Sequence, residues 1–124
     1  MGVSLPRFNM NMKSVLVIDF DNTISSASYP NLGEPTIGVK EAFEKLRSMG
    51  YEIHILSCRT NPEVTEHILD RQEQCRLMRR YLDEHEIPYD KVLNEYKPVA
   101  TYYIDDRGIT FNGSWDEVIK KMEK

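Results

Sequence analysis

Cysteine is scarce in this chain. Cys58 and Cys75 are the only two, and they make neither a metal-type pair nor a disulfide framework. A reducing cytoplasm is the expected home. Positive charge is not in excess either: 16 Lys and Arg stand against 20 Asp and Glu, a formal net charge of -4. That balance argues against a nucleic-acid glove or a membrane-surface binder, both of which favour a basic face. The first dozen residues lack the apolar stretch of a secretory signal, and no run approaches the length of a membrane span. Repeats and low-complexity tracts are absent.

What remains is an ordinary globular composition, 40% hydrophobic and 29% charged over 124 residues. That length suits one domain with one core. Residues 13–124 are expected to form it, with residues 1–12 as a disordered or frayed arm. The run Ser14-Val15-Leu16-Val17-Ile18 is apolar and β-branched, and predicts a strand buried on both faces of a parallel sheet. Val39, Ala42, Phe43, Leu46 and Met49 recur at helical spacing, and Gly50 follows where a left-handed residue ends a helix. Residues 51–56 predict a second strand. A long helix is expected after Pro62, with Val64, Ile68, Cys75, Met78 and Leu82 as its buried stripe. Residues 89–93 predict a short strand and 100–104 a longer one. Ser114-Trp115-Asp116-Glu117 is a capping box that opens a last helix carrying Val118, Ile119 and Met122.

The expected order is therefore β-α-β-α-β-β-α. Alternation of this kind implies a single-domain α/β fold with a doubly wound parallel sheet, and ligands of such sheets lie beyond the carboxyl ends of the strands. Asp19 and Asp21, Ser57, and Asp105 and Asp106 each follow an expected strand directly, so all would gather at one edge.

Two carboxylates at i and i+2, in Asp19-Phe20-Asp21-Asn22-Thr23, suit phosphoryl chemistry. One carboxylate attacks phosphorus and the other moves the proton. The same stretch also reads as a turn built from Asx residues. Asp105-Asp106 supplies hard oxygens of the kind Mg2+ prefers, and equally reads as a solvated turn. The Ser57 hydroxyl is either a donor to a phosphoryl oxygen or a helix cap. Lys97 offers an ammonium to offset charge, or is simply solvated.

Taken together, in this order, these stretches resemble the haloacid dehalogenase superfamily of phosphohydrolases, over roughly residues 14–120. The DxDxT motif corresponds to Asp19-Phe20-Asp21-Asn22-Thr23. The strand ending in Ser or Thr corresponds to Ile53-His54-Ile55-Leu56-Ser57, the lysine to Lys97, and the acidic pair to Tyr103-Ile104-Asp105-Asp106. The resemblance implies that Asp19 is the nucleophile and a Mg2+ ligand. It implies that Asp21 is the general acid/base and reaches the metal through its carbonyl. Ser57 and Lys97 would bind the phosphoryl group, Asn22 and Thr23 would line the substrate, and Asp106 would hold the metal with Asp105 acting through water. An acid at position 21 speaks for phosphate chemistry, because the dehalogenases of the superfamily lack it. Only a short flap, 25–35, fits between the motif and the first helix, so the chain resembles a capless member. Arg59 follows the Ser-x-Arg pattern of small members and would add a phosphate contact; a surface arginine is the alternative.

The function expected from this resemblance is a Mg2+-dependent phosphomonoesterase with an aspartyl-phosphate intermediate. Its partner would be a small phosphorylated metabolite, a sugar phosphate or nucleotide, with no membrane involved. A 3'-phosphatase on polynucleotide ends is a second reading, which the acidic net charge disfavours. A non-catalytic phospho-receiver is a third. In an open, capless site, a second copy of the chain or the substrate itself would have to exclude water. The remaining charges read blandly: Arg71, Arg76, Arg79 and Arg80 interleave with glutamates as a salt-laced face, and His54, His67 and His85 show no zinc spacing. Tyr29, in the flap, is kept as a candidate substrate contact.

Overall fold

The computed structural model describes residues 14–65, 68–93, 97, 100–102 and 107–123. Among these, three parallel strands and three helices alternate: β1 (Ser14–Ile18), α1 (Val39–Ser48), β2 (Tyr51–Ile55), α2 (Ile68–Glu84), β3 (Lys91–Val92) and α3 (Trp115–Met122). A single 3-10 turn, Cys58–Thr60, stands between β2 and α2. The sheet order is β1-β2-β3. Ser14 pairs with Tyr51 and Ile18 with Ile55, and His54 and Ile55 pair with Lys91 and Val92. All three strands therefore end at the same edge.

The register decides which side chains are buried. Leu16 and Ile18 lie on the face of Ile53, Ile55 and Val92, and that face carries the core. Val15 and Val17 lie on the other face, beside Glu52 and His54, and are 44% and 57% exposed. Strand β1 is thus half-buried, not buried on both faces as its composition predicts. The four consecutive apolar residues Val15, Leu16, Val17 and Ile18 include no polar position to reveal which face is open.

Helix α1 turns Val39, Ala42, Phe43 and Leu46 inward. Phe43 meets the Trp115 ring of α3 edge-on at 5.3 Å. Burying side chains of this size contributes about 1.5–3 kcal/mol each. Gly50 takes φ 99° after α1, as the sequence predicts. Ser114 caps α3, its hydroxyl accepting from the Glu117 amide at 3.3 Å. Helix α2 begins at Ile68, later than expected, and Val64 lies in the preceding turn. Tyr81 joins Cys75, Met78 and Leu82 in the core. Strand β3 is shorter than expected and is anchored by Asp90, whose carboxylate accepts from the Ile53 amide at 2.8 Å and from Arg47 at 3.0 Å.

The longer expected strand differs most. Residues 100–102 are exposed and carry no strand; the remainder of that stretch lies outside the described residues. The described chain therefore establishes a small α/β domain with a three-stranded parallel sheet.

Candidate functional site

Beyond Ile18 the chain leaves extended geometry at once. The amides of Ile24 and Ser25 both bond the Phe20 carbonyl, at 2.9 and 3.0 Å, winding residues 20–25 into a turn. Phe20 and Ile24 are fully buried there, so the two carboxylates flanking Phe20 are pushed outward on a fixed base. Asn22 sits at φ 59°, a left-handed position that Asn tolerates, and donates to the Ser28 hydroxyl at 2.8 Å. The Thr23 carbonyl accepts from the Thr36 hydroxyl at 2.7 Å.

Asp19 is half-buried. Its Oδ2 lies 3.3 Å from Lys97 Nζ, and its Oδ1 accepts from the Phe20 amide at 2.9 Å. Burial pushes its carboxyl above the ordinary value of 3.8; Lys97 and the Phe20 amide pull it back only in part, and the nearby Asp21 charge adds to the rise. Lys97 is itself held by its backbone. Its amide donates to the Ser57 carbonyl at 3.2 Å, and its carbonyl accepts from the Asn61 side chain at 3.2 Å. Three stretches far apart in sequence, at 19, 57 and 97, thus meet at the strand ends.

Ser57 is buried and caps the 3-10 turn, its hydroxyl accepting from the Arg59 amide at 3.0 Å. Capping uses an acceptor direction of the hydroxyl and leaves its O–H to donate. Arg59 is 0% exposed, so it is not a surface arginine. Its Nε donates to both Asp21 oxygens at 3.1 Å, and Nη2 donates to Asp21 Oδ1 at 2.7 Å. Nη2 also reaches the Asn31 carbonyl at 2.6 Å, and Nη1 reaches Gln74 Oε1 at 3.1 Å. Its guanidinium carbon lies over the Phe20 and Tyr29 rings, at 5.3 and 5.2 Å. A fork-to-carboxylate pairing of this kind fixes both position and plane.

The flap, 25–35, is anchored at both ends. Ser25 Oγ accepts from the amides of Ala27 and Gly33, at 3.3 and 3.0 Å. The Tyr81 hydroxyl donates to the Gly33 carbonyl at 2.7 Å, and Trp115 Nε1 donates to the Thr36 hydroxyl at 3.0 Å. Gly33 has no room for a side chain: a Cβ there would stand 2.5 Å from Ser26 Oγ and 2.9 Å from the Ala27 amide nitrogen. Further along, Tyr29 shares a hydrogen bond with Thr65, oxygen to oxygen 3.1 Å.

Sequence reasoning missed Asn61, Gln74, Thr65 and Tyr81 as supports of this region. Only Asn61 carried a signal, the turn-forming pair Asn61-Pro62. Asp105 and Asp106 lie outside the described residues. Among the described residues no three His, Cys, Asp or Glu side chains converge as a metal would require. The Asp21 carboxylate is engaged by Arg59, so among the described residues Asp19 is the carboxylate this edge offers to a cation. A carboxylate of that kind fits Mg2+ in chemistry, but one falls short of a full ligand set.

No family model and no curated protein matches the chain. Among solved structures, a crystal structure of a target protein from Vibrio cholerae is similar, at a TM-score of 0.65 and 23% identity, over 88% of this chain and 98% of that one. That likeness is one of fold: a small α/β domain of the same extent. No helix among the described residues is long and apolar enough to cross a membrane.

Proposed function

We propose that the chain is a Mg2+-dependent phosphomonoesterase of the haloacid dehalogenase type, acting on small phosphorylated metabolites through an aspartyl-phosphate at Asp19. The observation that carries the reading is the 3.3 Å pairing of Asp19 with Lys97, whose own amide is tied to Ser57. A carboxylate at a strand end, facing an ammonium held by the neighbouring strand end, is what attack on a dianionic phosphate needs. The doubly wound arrangement of the sheet belongs to this reading too.

In the first half-reaction Asp19 Oδ forms a bond to phosphorus as the ester P–O bond breaks. The leaving oxygen takes a proton from Asp21. In the second, water attacks the phosphorus of the acyl phosphate, its proton returns to Asp21, and phosphate leaves with the Asp19 carboxylate restored. Asp21 Oδ2 carries only one contact from Arg59, at 3.1 Å, and keeps a lone pair for that proton. Lys97 offsets charge on the transferring group, and Ser57 donates from the neighbouring strand end. Asp19, the Asp21 carbonyl, Asp105 and Asp106 would hold Mg2+, which when bound neutralises charge on the phosphoryl oxygens.

The test is turnover of p-nitrophenyl phosphate with Mg2+ or with EDTA, followed by a screen of sugar phosphates, nucleotides and 3'-phosphorylated oligonucleotides. Multiple turnovers are expected with Mg2+ and none in chelator. Asp19→Asn should lose about three orders of magnitude or more while staying folded. A stable, stoichiometric phosphoprotein would instead mark a receiver domain, and full activity in Asp19→Asn would remove the nucleophile.

A further inference from the structure

We propose that Arg59 is a positioning residue that ties the Asp21 carboxylate to the tip of the flap, so that the two are held or released together. One guanidinium, wholly buried, touches three parts of the fold. It forks onto Asp21 through Nε and Nη2, reaches the Asn31 carbonyl at 2.6 Å through the same Nη2, and anchors to Gln74 of α2 through Nη1. Tyr29 of the flap and Phe20 of the strand end both place a ring against it. The base of the flap has its own ties, from Tyr81 to Gly33 and from Trp115 to Thr36. At the tip, 29–31, the ties to the body of the protein among the described residues run through Arg59 and the Thr65 hydroxyl.

Because Nη2 bonds Asp21 and Asn31 at once, the guanidinium plane that suits one acceptor sets the position of the other. A lysine in its place has a single nitrogen and no fork. It can reach Asp21 or the Asn31 carbonyl, but it cannot hold the carboxylate plane and the flap together.

The catalytic half of this inference rests on the phosphatase reading; the structural half does not. The experiment uses the full chain and Arg59→Lys, with Gln74→Ala as a second variant that removes only the outer anchor. Amide hydrogen exchange, followed by peptide, should quicken about tenfold over residues 27–32 in Arg59→Lys, with residues 33–36 and α1 unchanged. Gln74→Ala should move the same residues less. On p-nitrophenyl phosphate, kcat of Arg59→Lys should fall at least about tenfold, with KM and inhibition by inorganic phosphate within about twofold of wild type. Exchange at 27–32 as in wild type overturns the proposal. So does a rise in KM and in the phosphate inhibition constant at unchanged kcat, which would make Arg59 a phosphate contact. If Arg59→Lys does not fold, Gln74→Ala decides by the same exchange readout. If the wild type turns nothing over, exchange alone decides, and the failure belongs to the phosphatase reading.

Discussion

Asp19 and Asp21 are two residues apart and live under different rules. Asp19 faces a partner on a side chain that keeps solvent contact: the Asp19 and Lys97 side chains are 33% and 25% exposed. Asp21 faces an arginine that is wholly buried, held by three acceptor groups and lying over two rings. The first arrangement leaves a carboxylate with more solvent contact; the second fixes one in a buried fork. For the proposed chemistry that division is apt, since a nucleophile must travel toward phosphorus whereas a proton carrier must wait at a set distance.

The comparison breaks most readily at Arg59. Truncating it strands the Asp21 charge in a part-buried site, so Arg59→Ala should lower the unfolding free energy by about 3–5 kcal/mol, as read from urea titrations. Its counterpart, Lys97→Met, should behave oppositely. Stability should change by under about 1 kcal/mol, because the pair is part-exposed, while kcat drops about a hundredfold through lost charge neutralisation. Equal stability losses from the two variants would erase the distinction. The smallest effect concerns Asp19 itself. Burial raises its folded pKa above 3.8, so the folded protein binds that proton more tightly than the unfolded chain. Stability therefore falls as pH rises through that interval, and above it the buried charge is a standing cost. Asp19→Asn without divalent cations should melt higher than wild type at neutral pH, with the gap closing as pH drops below 3.8. A lower melting point at neutral pH would mean that the Lys97 pairing outweighs burial.

Much of this was legible in residue order. Helix α1, its Gly50 terminus and the Ser114 cap each rest on local chemistry that a sequence displays directly. The meeting of 19 and 57 was legible because parallel strands must end at a common edge, whereas Lys97 follows no expected strand and was singled out only through the family resemblance. Two things were not. The one-sided burial of β1 depends on Glu52 and His54, residues of another strand that face Val15 and Val17 only through register. The role of Arg59 depends on acceptors at 21, 31 and 74, which no spacing rule connects. A lone arginine after Ser57 and Cys58 suggests a ligand contact or a surface charge; burial removes the second reading, and the fork onto Asp21 is an arrangement that only packing reveals.

The crowding at Gly33 reaches beyond its own turn. With backbone and hydroxyl atoms already occupying the space a methyl would need, the flap cannot take a side chain at this point of its root. Diversification of this loop by evolution or by design is confined to the opposite end, where residues 29–32 face solvent. Position 33 is spoken for, and variation in the loop has to be written at its tip.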